Sequence, residues 1–186
     1  PYTPQNEEEF FQQLEQWNDE DEYTRCIQAL NAIPEDWRNY RIVYAMARAL
    51  ENYAVLGDHQ QEPPYYKAEK ALRRAIEVLE SVREEGQDKA QWNMRMAYGY
   101  QYLYHQEEKA IPYAQRWAEL APEDEDAPAV IQECQKEIDK RGKAEGESDH
   151  KGVFTGFVLL SKGEWDKEQF IRDMQEKWDI PVEEYD

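Results

Sequence analysis

Apolar residues recur at three- and four-residue steps along most of the chain, so the pattern predicts helices almost throughout. Phe10, Phe11, Leu14 and Trp17 form one stripe over Glu7–Trp17, with Glu7, Glu8 and Glu9 in the first turn, where the helix dipole favours acids. Asn18-Asp19 breaks it. Cys26, Ile27, Leu30 and Ile33 form a second stripe, stopped by Pro34. A third helix is predicted from about Trp37 to Leu56, capped by Asp36 and ended by Gly57. Asp58–Pro64 reads as a loop. The clearest stripe, Ala68, Ala71, Leu72, Ala75, Ile76, Leu79 and Val82, predicts a fourth helix that Gly86 ends. A fifth runs from about Lys89 to Tyr104. After a turn at His105-Gln106, a sixth spans about Glu107 to Leu120, with a kink or a late start expected at Pro112. A seventh, about Asp126 to Lys140, carries Val130, Ile131, Cys134 and Ile138 on one side and charges on the other.

The texture then changes. Residues 142–150 are polar, hold two glycines and read as a linker. Val153–Leu160 is rich in β-branched and aromatic residues and predicts a strand. Ser161 with Glu164 resembles a capping box and opens a helix bearing Trp165, Phe170, Ile171, Met174 and Trp178. One strand and one helix do not make an independent domain, so this piece either docks on the helices or begins a larger domain. The division expected is a helical array over 1–141, a linker over 142–150 and a strand–helix segment over 151–186.

Charge narrows the function classes. The chain has 186 residues, with 41 Asp and Glu against 22 Lys and Arg, a formal net charge of −19. Nucleic-acid backbones and anionic membrane surfaces would repel it. The longest apolar run is too short to span a bilayer. Cys26 and Cys134 each fall on an apolar stripe and read as buried thiols in a reducing compartment, the cytoplasm. No signal peptide opens the chain; it begins at Pro1, which leaves room for a removed upstream segment.

Two segments are alike in kind: Met46-Ala47-Arg48-Ala49-Leu50 and Met96-Ala97-Tyr98-Gly99-Tyr100. The second, with Trp92, Met96, Ala97 and Tyr100, resembles the first helix of a tetratricopeptide repeat. Ala110, Ala114 and Pro122 match steps of that repeat's second helix, with Trp117 where a small residue is usual and one extra residue between Ala97 and Ala110. The resemblance covers about Asp36 to Arg141. It implies a mainly α fold: antiparallel helix pairs stacked as a short solenoid, each too thin to bury its own apolar face. Residues 151–160 and Glu164-Trp165-Asp166 look like the opening of an uncharacterised bacterial domain found after such repeats, a family with no activity to carry over.

No pattern for catalysis or metal binding stands out, and no cofactor is implied. His59, His105 and His150 lie in predicted turns or the linker without metal-spaced partners. Asp124–Asp126 lacks the loop that calcium needs. The repeat resemblance implies that the first helix of each pair lines a concave face. It places Arg41, Tyr44, Arg48 and Asn52 there from the third helix, and Met94, Tyr98, Gln101 and Tyr102 from the fifth. These residues suit an acidic or C-terminal peptide. The plainer reading is that Tyr98 and Tyr102 pack between helices and that Arg41 and Arg48 pair with local glutamates. A protein-interaction module is therefore expected, binding a peptide or partner domain and not an enzyme. The alternatives are an acidic antidote for a basic partner and the regulatory part of a larger enzyme. Self-association, or occupancy of the groove by Val153–Asp186, would also fill the concave face.

Overall fold

The computed structural model describes residues 1–57 and 64–148, and these are mainly helical, with no strand among them. A 3-10 turn at Pro4–Asn6 leads into α1 (Glu7–Asp19), followed by α2 (Tyr23–Asn31), a 3-10 turn at Glu35–Trp37 and α3 (Tyr40–Leu56). Then come α4 (Pro64–Glu80), the single turn α5 (Arg83–Gly86), α6 (Ala90–Gln101), α7 (Glu107–Leu120) and α8 (Asp126–Ser148).

The connections are closed by specific polar groups. Asp21 adopts a positive φ of 59°, turning the chain between α1 and α2. Past α2, the Arg38 guanidinium donates to the carbonyls of Ile33 (2.9 Å) and Asn31 (3.1 Å), satisfying groups left open at a helix end. Before α6, buried Asn93 donates to the carbonyls of Gln87 and Lys89, both at 2.9 Å. Asp124 ties α7 to α8. Its carboxylate accepts from Trp117 Nε1 and from the Asp126 backbone N–H, each at 3.0 Å.

Leaving aside the single turn α5, each helix packs on the next along the chain: α1 on α2, α2 on α3, α3 on α4, α4 on α6, α6 on α7 and α7 on α8. Alternate helices touch as well, α3 with α6 and α6 with α8. The apolar stripes meet in two buried clusters. One gathers Leu30, Ile42, Met46, Ala75, Leu79, Trp92 and Met96 among others. The other gathers Ala97, Ala110, Ala114, Trp117, Ala127, Val130 and Cys134. Ala97, Ala110 and Ala114 are fully buried, so α6 and α7 approach closely along small residues. Trp92 lies in the first cluster, where its indole N–H donates to the Leu79 carbonyl at 3.0 Å. Tyr100 and Tyr113, stacked 5.8 Å apart, lie against both clusters.

Several expected boundaries shift. The third helix starts at Tyr40, later than Trp37, because Asn39 is the cap: its backbone is extended and its side chain accepts from the Ile42 N–H at 3.0 Å. The fourth begins at Pro64, inside the expected loop, and stops at Glu80. A separate turn follows at Arg83–Gly86, where Gly86 lies against the Trp92 ring. The fifth spans Ala90–Gln101, short of the expected Lys89–Tyr104. The sixth starts at Glu107 as expected and runs through Pro112, which gives up one bond of its ladder. The largest correction is at the end. The last helix continues through Gly142 to Ser148, so most of the expected linker is helical. The expected strand, capping box and final helix lie outside the described residues.

Candidate functional site

A cleft between α1 and α3 brings together three of the eight candidate residues, Arg41, Tyr44 and Arg48. It encloses about 640 Å³. Phe11, Tyr44 and Ala45 line it together with buried Leu14, Cys26, Leu30 and Ala49. Its polar lining includes Glu8, Glu15, Asp19, Glu20, Arg41 and Arg48. The cleft exists because α1 leans on α2 and meets α3 chiefly through side chains. Its floor follows from the helical period. Leu14 of α1 faces Cys26 and Leu30 of α2, whereas residues 41, 44, 45 and 48 form one face of α3 that looks toward α1.

Both arginines of that face are occupied. Arg41 Nη1 lies 2.6 Å from Glu8 Oε1 and 3.4 Å from Glu7 Oε1, and its guanidinium sits 3.9 Å over the Phe11 ring. The hydrogen bond from Arg41 holds the Glu8 carboxyl below the usual carboxylate range. Arg48 donates through Nη1 and Nη2 to the two carboxylate oxygens of Glu15. Asn52 does not line the cleft; its amide donates to Asn18 Oδ1 at 3.4 Å. Tyr44 does line it, stacks on Tyr40 and accepts a hydrogen bond from Arg95 Nε at 3.2 Å.

The candidates on α6 are elsewhere. Met94 and Tyr98 pack against the second buried cluster, with the Tyr98 ring 5.6 Å from that of Trp117. Burial raises the Tyr98 hydroxyl above its ordinary value. Gln101 Oε1 is buried without a hydrogen bond, and Tyr102 is exposed. The expected set of concave residues therefore divides: Arg41, Tyr44 and Arg48 share one cleft, and the α6 residues do not join it.

Sequence reasoning missed a buried polar group beside this face. Glu51 is 3% exposed and neither carboxyl oxygen has a hydrogen bond. Arg95 Nη1 approaches Oε1 to 3.8 Å. Burial raises the Glu51 carboxyl well above its ordinary value, against the pull of Arg95. The signal was present in the helical period, since Glu51 follows Ala47 by four residues on the buried stripe. Two other groups have little capacity for chemistry. Cys26 and Cys134 are buried free thiols, each pushed up to about 11 by burial. Among the described residues no group of three or more His, Cys, Asp or Glu is placed to hold a metal. No helix among them is long and apolar enough to cross a membrane. No family model matches the chain, and neither curated proteins nor solved structures give a match.

Proposed function

We propose that this chain is a protein-interaction module, a short tetratricopeptide-like stack of helix pairs that binds a peptide segment of a partner in the cleft between α1 and α3. It acts by binding and not by catalysis. The observation that carries this reading is the cleft itself, about 640 Å³ of open volume with aromatic and aliphatic lining and charged walls. A groove of that kind takes one or a few anchoring side chains while its rim positions the peptide. The stacking part of the reading draws support from the order of packing, in which each helix contacts the next and alternate helices also touch. It draws further support from the equivalent burial of Met46-Ala47 on α3 and Met96-Ala97 on α6.

The test is selection of binding peptides from a displayed random library against the full chain, followed by affinity measurement on a variant with the cleft filled. Ala45 is partly exposed on the cleft wall, so Ala45→Trp should occupy the space while leaving the buried clusters in place. Selected peptides are expected to lose at least about tenfold in affinity, roughly 1.4 kcal/mol. Equal binding to both forms would move the site away from α1 and α3.

A further inference from the structure

We infer that the segment received by this cleft is basic, an extended peptide that places an apolar side chain between Phe11 and Tyr44 and a lysine or arginine against Asp19 and Glu20; the inference rests on the peptide-binding reading above. It departs from the acidic or C-terminal peptide that the concave residues suggested, and agrees in sign with the basic partner that the sequence left as an alternative.

The departure comes from where the charges are spent within the fold. The lining holds four carboxylates, on Glu8, Glu15, Asp19 and Glu20, and two guanidiniums, on Arg41 and Arg48. Arg41 is shared by Glu8 and Glu7. Arg48 is engaged by both oxygens of Glu15. An incoming carboxylate would have to displace one of these partners and would leave the displaced glutamate beside it. Like charges so placed cost free energy. Asp19 and Glu20 differ. Neither forms an ion pair with a described lysine or arginine, and Glu20 accepts only a neutral hydrogen bond, from Gln16 Nε2 at 2.9 Å. After the internal pairs are formed, the net charge left on the cleft is negative and lies at its Asp19–Glu20 end, next to apolar surface. A peptide that alternates apolar and basic side chains complements that arrangement. The chain's overall −19 would steer it inward.

Three labelled synthetic peptides test this on the full chain by fluorescence anisotropy. They share a central leucine and differ only in carrying lysine, glutamine or glutamate on either side. The lysine peptide is expected to bind at least about tenfold tighter than the glutamine peptide at an ionic strength near 0.05 M, with most of that gap gone near 0.3 M. The double variant Asp19→Asn/Glu20→Gln should weaken the lysine peptide at least about threefold and leave the glutamine peptide unchanged. Ala45→Trp should weaken both. Circular dichroism of each variant checks that it is folded. Tightest binding by the glutamate peptide, or a lysine peptide indifferent to the double variant, would overturn the basic partner. In either case continued sensitivity to Ala45→Trp would leave the cleft reading standing. If no peptide responds to Ala45→Trp, the cleft reading falls too, and lysine-peptide binding is then diffuse attraction to an acidic surface.

Discussion

The Glu51 carboxyl is buried among α3, α4 and α6 without one hydrogen bond to either oxygen. An ideal Cβ on Gly99 would sit 3.7 Å from its Oε2 and 2.9 Å from Ile76 Cγ1, so the glycine lets the two helices close around the acid. Burial raises the carboxyl's pKa, and Arg95 at 3.8 Å offsets this only in part. The sign of the pH dependence follows. Below the carboxyl's unfolded value both states are protonated and no stability is lost. As pH rises past that value the unfolded chain releases a proton that the folded chain keeps, and stability falls until the folded value is reached. Glu51→Gln keeps the shape of the neutral acid and cannot ionise. Urea denaturation should find it more stable than the parent chain near neutral pH, with the advantage shrinking toward pH about 4. The opposite order would mean that Glu51 is ionised and paired with Arg95.

Helix ends show how far the pattern of residues can be read and where it stops. The apolar stripes were legible: Cys26, Ile27 and Leu30, or Ala71, Leu72, Ala75 and Leu79, are buried as their spacing requires. Termini were less legible, because two residues competed for one role. Asp36 and Asn39 are both good caps, and only geometry chose Asn39. Asn39→Ala should therefore cost about 1 kcal/mol in chemical denaturation, and Asp36→Ala close to nothing. At Gly86 the sequence suggested a stop, whereas the close approach of Trp92 is a tertiary fact. An added Cβ would fall 2.2 Å from Trp92 Cδ1. Gly86→Ala is expected to destabilise by about 1–3 kcal/mol and to shift tryptophan emission, since the indole must move. Gly142 misled in the other direction: nothing lies within 4 Å of its added Cβ, and α8 runs through it. The candidate cleft was half legible. The repeat resemblance implied one face for Arg41, Tyr44, Arg48 and Asn52, of which the first three line the cleft, but the glutamates that occupy the arginines come from α1, 33 positions earlier for the Glu8 and Glu15 contacts, and no local pattern records that.

At the scale of the whole molecule, the two buried clusters raise the question of how strongly the described chain behaves as one unit. Helices α2 and α3 belong to the first cluster, α8 to the second, and α6 contributes Trp92 and Met96 to one and Ala97 to the other. Tyr113 joins them. Its ring stacks on Tyr100, meets the edge of Trp92 at 5.9 Å, and its hydroxyl accepts from the Arg83 guanidinium. If stability is a sum of local terms and neighbour contacts, weakening this junction should release one side before the other. Tyr113→Ala removes both ring and hydrogen bond from a partly buried site, a loss of about 2 kcal/mol. Native-state hydrogen exchange should then show amides of α7 and α8 losing at least about tenfold more protection than those of α2 and α3, because tenfold corresponds to about 1.4 kcal/mol of local opening. Tyr113→Phe keeps the ring contacts and should shift the same amides by much less. A uniform loss of protection across all described helices would show instead that the clusters open together, and that the junction couples them too tightly for the helices to come apart in stages.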